Sequence, residues 1–347
     1  MRTFKCGACG HTVYFGNVQC LNCGNLLGFN PDRMDMVALA PGPDKLLHDV
    51  KRPTGAAVAY CANEAHGVCN WVVRAGAGSG LCRACELNRT IPNLADPRNV
   101  RAWGHFERAK KRLIYSLLRF GLPIEDTGNG KGPLAFDFIS DAVTGHLDGL
   151  ITIALGEADA VERERQRQAM EETYRSLLGH LRHESGHYYW MLLIEGTPYI
   201  DEFRRIFGDE REDYRAALQR HHEQGPPADW PLQNVSAYAS SHPWEDWAET
   251  WAHYLHMVDA LETAVAMKIE PRGGRFAGGV RTFRARDVYR NESFATLLQR
   301  WVPLTLALNE INRSMGHNDF YPFVIPEVAE TKLGFVHRVI RECTRKD

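Results

Sequence analysis

The chain has 347 residues, of which 44% are hydrophobic and 24% charged, with a formal net charge of −2. That balance supplies ample apolar surface for a core and excludes disorder as the main state. No apolar run reaches the roughly 18 residues of a membrane helix, and the near-neutral charge gives no electrostatic reason to expect nucleic acid.

The first residues, Met1 to Cys9, lack the apolar centre of an export signal, so a cytoplasmic location is expected. Eight of the nine cysteines fall within the first 85 residues. The first set is Cys6-x-x-Cys9 and Cys20-x-x-Cys23. Two C-x-x-C turns can place four thiolates at about 2.3 Å around a tetrahedral zinc with no open position, which makes the site structural. The second set is Cys61, Cys69, Cys82 and Cys85. Its first half is irregular, and His66 stands between Cys61 and Cys69 as an alternative ligand. Disulfides are the competing use of so many cysteines, but they belong to exported proteins. A segment this short and glycine-rich would not bury a sufficient core without metal.

Zinc ribbons often bind nucleic acid, so the local charge matters. Residues 1–95 carry nine Lys or Arg and six Asp or Glu. Two tetrathiolate zinc sites, each with a net charge of −2, turn that small excess slightly negative, which is not the footprint of a phosphate binder. Structural use, or docking of a protein partner, is the expectation for the ribbons.

The stretch Leu87 to Val100 contains Pro92 and Pro97 and reads as the boundary after the ribbons. Beyond it Trp103, Phe106, Leu113, Ile114, Leu117 and Leu118 recur at helical spacing, which predicts an amphipathic helix over about 98–120. Asp126 to Gly132 reads as turns. Gly149 to Leu155 alternates apolar and small residues and predicts a short strand, at the edge of a cleft where an extended peptide could add. The charged stretch Glu157 to Glu172 leads into a second helix, with Tyr174, Leu177, Leu178, Leu181 and Tyr188 on one face. Residues 201–224 read as polar surface helices, and Leu297 to Asn312 as a further helix. One strand signal among many helices gives an α+β class with a small sheet.

Inside the second helix stands His183-Glu184-Ser185-Gly186-His187. Two histidines four residues apart share a helix face and can hold one zinc, while Glu184 can reach a bound water. Such a zinc takes a third protein ligand and keeps water in the fourth position. The following helix offers Trp244-Glu245-Asp246-Trp247-Ala248-Glu249-Thr250-Trp251. Trp244, Trp247 and Trp251 form a stripe expected to face the core. Glu245 and Glu249 lie one turn apart on another face, while Asp246 points elsewhere. One of these glutamates on zinc and one on the far N–H of a ligating histidine is the useful division. Ala248 is small enough to let two helices approach. His180, His253 and His256 are read as surface or supporting histidines, not ligands.

Glu245-x-x-Ala248-Glu249 after His183-Glu184-x-Gly186-His187 resembles the gluzincin clan of zinc metallopeptidases, in particular the catalytic domain of anthrax lethal factor. That resemblance implies that Glu245, which opens the E-x-x-A-E helix, ligates the zinc. It also implies that Tyr238, seven residues earlier, assists catalysis. The 57 residues between His187 and Glu245 depart from that pattern, so substrate choice does not carry over. Over nearly its whole length the chain resembles bacterial zinc-binding metallopeptidases with an N-terminal zinc ribbon. The implied organisation is a double zinc ribbon in 1–90 and a mostly helical, zincin-like metallopeptidase domain in 95–347. It would hold one catalytic and two structural zinc ions and act on a peptide or protein substrate. Two other functions compete: an adaptor or regulator with an inactive peptidase-like domain, and a zinc hydrolase acting on something other than protein. Glu184 favours an enzyme, since an inactive relic could keep its ligands and lose the base.

Overall fold

The computed structural model describes residues 1–128, 130–140, 144–169, 176–269, 287–290 and 292–344. By packing, the chain divides into two compact units, Met1–Arg119 with Pro133–Gln166, and Phe120–Gly132 with Arg167–Asp347.

In the first unit, β1 (Phe4–Lys5) and β2 (Thr12–Val13) form an antiparallel pair around the first cysteine knuckle. Each C-x-x-C turn of the first set is closed by a glycine. The Gly10 N–H bonds Cys6 O at 2.9 Å and the Gly24 N–H bonds Cys20 O at 2.8 Å. Both glycines have φ above +70°, where a side chain would be strained. An antiparallel sheet follows in sequence order: β3 (Leu26–Asn30), β4 (Asp35–Pro41), β5 (Leu47–Asp49), β6 (Val58–Tyr60) and β7 (Val72–Arg74). Its ends meet, because the Phe29 N–H donates to Asn70 O at 2.9 Å. A Cβ on Gly28 would stand only 2.4 Å from Val72 Cγ1, so the missing side chain permits this closure.

The core of this unit is aromatic. Phe29 lies 4.7 Å from Phe15 and 4.9 Å from Trp71, ring centre to ring centre, with Tyr115 packed edge-on to Phe15. Tyr115 belongs to α1 (Pro97–Phe120), the helix predicted over 98–120, whose Trp103, Phe106, Leu113, Ile114 and Leu117 are all buried. The same helix also buries Glu107, Lys110 and Lys111. Glu107 accepts from Trp103 Nε1 at 3.1 Å and Lys110 Nζ at 2.7 Å, and Lys111 donates to the Val68 carbonyl beside Cys69.

The rest of the unit is a mixed sheet in the order β10 (Gly145–Leu147), β11 (Leu150–Ala154), β9 (Ala135–Ile139), β8 (Asn88–Thr90). A helix α2 (Ala160–Ala169) follows it in the chain. The predicted strand at Gly149–Leu155 forms as β11, but not at an edge. It is antiparallel to β10 on one side and parallel to β9 on the other, so its backbone groups are already paired. β9 was not foreseen from its sequence, because Asp137 interrupts its apolar run. The carboxylate is buried and paired with Arg89.

The second unit is helical: α3 (Leu177–Leu193), α4 (Ile200–Phe207), α5 (Tyr214–Gln224), α6 (Trp230–Gln233), α7 (Pro243–Met267), α8 (Phe294–Ser314) and α9 (Glu327–Cys343). Ser176 caps α3 by accepting from the Gly179 N–H at 3.0 Å. Tyr174, expected on this helix, lies outside the described residues. α4 and α5 arise in the polar 201–224 stretch, although Phe203 and Phe207 turn inward. His242 caps α7 by accepting from the Trp244 N–H at 3.1 Å, and Pro243 follows at the first helical position.

The central feature is the crossing of α3 and α7. A Cβ on Gly186 would lie 2.9 Å from Ala248 Cα and 3.2 Å from Trp251 Cδ1, closer than real side chains tolerate. Trp247 Nε1 donates to Gly186 O at 2.8 Å, and Trp251 Nε1 donates to Ser185 Oγ at 3.1 Å. Arg182 pairs with Asp259 across the same crossing. On the far side, Lys332 of α9 binds Asp246 of α7 at 2.6 Å and the Gln233 carbonyl of α6 at 2.7 Å. Tyr189 OH donates to Pro123 O at 2.8 Å, which fastens the 120–132 segment to α3.

Two stability outcomes follow. Gly186→Val should destabilise the second unit by about 1–3 kcal/mol, because overpacking must push the helices apart. Thermal unfolding checks this, and an unchanged midpoint would remove the crossing as the tight point. Lys111→Met should cost about 1–3 kcal/mol by leaving the buried Val68 carbonyl without its donor. Denaturant titration of the variant measures it, and a wild-type midpoint would refute the assignment.

Candidate active site

Among the described residues, three groups could hold a metal, each with its ligand atoms within 4.8 Å of one another. Two are the cysteine sets. Cys6, Cys9, Cys20 and Cys23 come together with Cys6 and Cys20 buried and the other two exposed, and the Sγ atoms of Cys6 and Cys23 are 3.7 Å apart. Cys61, Cys69, Cys82 and Cys85 come together with all four buried. His66 is not in that set; its ring lies against Trp103, 5.9 Å between centres. The alternative ligand is therefore excluded by position, and four thiols make the second set as they make the first. Burial alone would lower the Lys111 ammonium, but Cys69, Glu107 and the neighbouring thiols hold it above its ordinary value. A buried cation is thus stationed beside the fully buried set.

The third group is His183, His187 and Glu245. It exists because the α3–α7 crossing brings one face of each helix together. His183 and His187 stand one turn apart on α3, with ring centres 4.9 Å apart. Glu245, in the first turn of α7, is almost completely buried and faces both. Its Oε2 lies 3.0 Å from His183 Nε2, and its Oε1 lies 3.5 Å from His187 Nε2. Glu249, one turn on, meets the other side of the first histidine, with Oε1 2.7 Å from His183 Nδ1. Glu249 at Nδ1 therefore orients the ring so that Nε2 is turned toward Glu245.

The charge states fit this arrangement. Burial opposes charge on Glu245, yet His187 and His183 hold its carboxyl well below the usual range. Glu249 is likewise held down to about 2, because His183 outweighs its burial. His183 is raised well above the ordinary imidazole by Glu245 and Glu249, against the effect of burial. Two carboxylates therefore concentrate negative charge on this imidazole pair. The buried Glu245 Oε2 has no partner among the described residues besides the His183 Nε2 that faces it. Two imidazole nitrogens and one carboxylate are the donors that a catalytic zinc takes.

Around this group stand residues of several other elements. Tyr238 opens a 3-10 turn, Tyr238–Ser241, with its ring centre 5.9 Å from that of His183. Burial, then the charges of Glu245, Tyr214, Glu249 and Glu184, push its phenol well above the usual value, so it remains a donor. Glu184 is buried on α3, next to His183 in the chain, and its charge acts on Tyr238 and Tyr214. Three partners were not legible in the sequence. Tyr214 OH donates to Glu245 Oε1 at 2.7 Å from 31 positions away. Ser236 Oγ donates to Glu249 Oε2 at 2.7 Å. Trp244, expected with Trp247 and Trp251 in the core stripe, instead lies on His187, 4.1 Å between ring centres. Trp247 and Trp251 are fully buried. None of these contacts has a local spacing signal. His253 bonds the Tyr321 hydroxyl at 2.6 Å and His256 bonds Arg182, while His180 does not join the ligand group.

Residues 99–339 match the model of a family described as "Putative zinc-binding metallo-peptidase", and residues 3–96 match a zinc-ribbon domain. The chain is 41% identical to uncharacterized proteins of Mycobacterium tuberculosis (strains CDC 1551 / Oshkosh and H37Rv) and Mycobacterium bovis. Each of these alignments spans 99% of this chain and 96% of the relative. No solved structure matches it. Among the described residues no helix is long and apolar enough to cross a membrane.

Proposed function

We propose that this chain, which belongs to the zinc-binding metallo-peptidase family, is a cytoplasmic peptidase hydrolysing peptide bonds in a peptide or protein substrate. The observation that carries the reading is the convergence of His183, His187 and Glu245 in one ligand group, with Glu184 and Tyr238 beside it. In this reading His183, His187 and Glu245 hold the catalytic zinc. Cys6, Cys9, Cys20 and Cys23 hold one structural zinc, and Cys61, Cys69, Cys82 and Cys85 hold the other. Zinc bound at the histidine site supplies Lewis acidity, acidifying a water and polarising a carbonyl oxygen.

The protein's own groups do the rest. Glu184 takes a proton as the water oxygen bonds to the scissile carbon, then returns it to the amine as the C–N bond breaks. Tyr238, kept protonated by its surroundings, donates a hydrogen bond to the oxyanion that forms on the carbonyl. Glu249 accepts from His183 and is itself held by Ser236, so it fixes the ring that presents Nε2.

Peptide libraries incubated with the purified protein, and read for new termini by mass spectrometry, test the reading. Glu184→Gln should abolish cleavage while retaining metal. Tyr238→Phe should lower kcat by roughly 10²–10³ with little change in KM. Cleavage at the wild-type rate by either variant would overturn the role given to that residue.

Metal analysis of the intact chain should return about three zinc ions. Glu245→Ala should empty the histidine site, and Glu249→Ala should weaken it by about 10–100-fold. Loss of metal from Glu249→Ala with retention by Glu245→Ala would mean that the two glutamates have exchanged roles. A single zinc in protein prepared without chelator would remove the two-ribbon assignment.

A further inference from the structure

Each of the two glutamates at the histidine site has one oxygen turned to His183 and the other held by a hydroxyl. For Glu249 these are Oε1 toward His183 Nδ1 and Oε2 on Ser236, both at 2.7 Å. For Glu245 they are Oε2, 3.0 Å from His183 Nε2, and Oε1, which accepts from Tyr214 at 2.7 Å. Among the described residues no hydroxyl or backbone N–H reaches Oε2 of Glu245, and only His183 Nε2 faces it. The two oxygens of one buried carboxylate are thus chemically different, and the phenol makes them so.

The phenol is delivered by a braced segment. Tyr214 is the first residue of α5, whose cap Asp213 accepts from the Ala216 N–H at 2.9 Å. Its ring stands edge-on to His242 and Trp244, at 5.2 and 5.8 Å between centres. His242 in turn reaches the Glu212 carbonyl at 3.3 Å. Trp244 lies against His187, so this aromatic group runs from Tyr214 to a histidine of the candidate ligand group.

We infer that Tyr214 is a positioning residue that restricts Glu245 to binding metal through one oxygen. The inference rests on the assignment of Glu245 as a ligand. An oxygen already accepting a phenol hydrogen is a weaker donor to a cation, so Oε2 is the atom offered. Three protein atoms then bind and a fourth position stays open for water. With the phenol removed, Oε1 is free to bind as well. A carboxylate bound through both oxygens fills another position and leaves the ion less acidic.

The test uses the full chain with cobalt(II) at the histidine site and zinc kept in the thiolate sites. A His183→Ala/His187→Ala double variant, treated identically, supplies the thiolate background to subtract from the visible spectrum. Wild type should show the intense bands of four-coordinate cobalt. Tyr214→Phe, which keeps the ring, should show the weaker bands of a higher coordination number, with zinc affinity changed by about 10–100-fold. Two zinc ions retained in the thiolate sites report that the variant is folded. Tyr238→Phe should leave the cobalt spectrum unchanged. A Tyr214→Phe spectrum superimposable on wild type overturns the inference, whether or not peptides are cleaved. A changed spectrum in a protein that cleaves no peptide supports the inference while the peptidase reading fails.

Discussion

The close crossing of α3 and α7 at Gly186 and Ala248 is the constraint on which the site depends. With no side chain on Gly186, the two helix backbones approach to a distance that a Cβ would forbid. At that separation the first turn of α7 comes within reach of the histidines on α3. Trp247 and Trp251 hold the contact by donating to backbone and side-chain oxygens of α3 while burying their rings. Arg182 and Asp259 add an ionic link. Close-packed interiors transmit small displacements, so a shift at this crossing moves the ligand group directly.

Charge is gathered at three places, and each is managed differently. The first cysteine set leaves Cys9 and Cys23 facing water, which screens a tetrathiolate. The second set is fully buried, and Lys111 sits beside it on a helix that also buries Glu107 and Lys110. Cations brought into an apolar core cost desolvation, and they persist here because carboxylate, carbonyl and thiol groups face them. At the histidine site the excess is carboxylate, set against two imidazoles. The chemistry of the two ends of the chain therefore diverges: thiol sets that would saturate a metal, and a mixed set that would leave it room to react.

Hydroxyl groups complete the histidine site. Ser236 and Tyr238 come from the segment before α7, and Tyr214 comes from α5. These segments lie in the 57 residues that separate His187 from Glu245. The length of that interval distinguishes the chain from the lethal-factor pattern. It carries α4, α5, α6 and the segment before α7, which together bring the Tyr214 and Ser236 hydroxyls to the two glutamates and Tyr238 beside His183.

Periodicity and ligand spacing made much of this protein readable. The C-x-x-C pairs, the i and i+4 histidines, the one-turn separation of Glu245 and Glu249, and the apolar stripe of α1 are local patterns. A turn or helix fixes which side chains share a face, whatever surrounds it. Ala248 as a point of close approach was readable for the same reason. Partnership between distant segments was not. The open-edge expectation for Gly149–Leu155 failed because β9, masked in sequence by a buried Asp137, pairs along one side and β10 along the other. Trp244 shares a spacing with two core tryptophans, yet its position in the first turn of α7 puts it on His187. Tyr214 has no local signal, since its meaning comes from a carboxylate 31 residues later. Sequence alone determined the candidate ligand types and the helix faces that carry them, because those follow from backbone geometry within a turn. Only tertiary structure decided which faces meet and which hydroxyls hold the carboxylates, because packing joins residues that no local period relates.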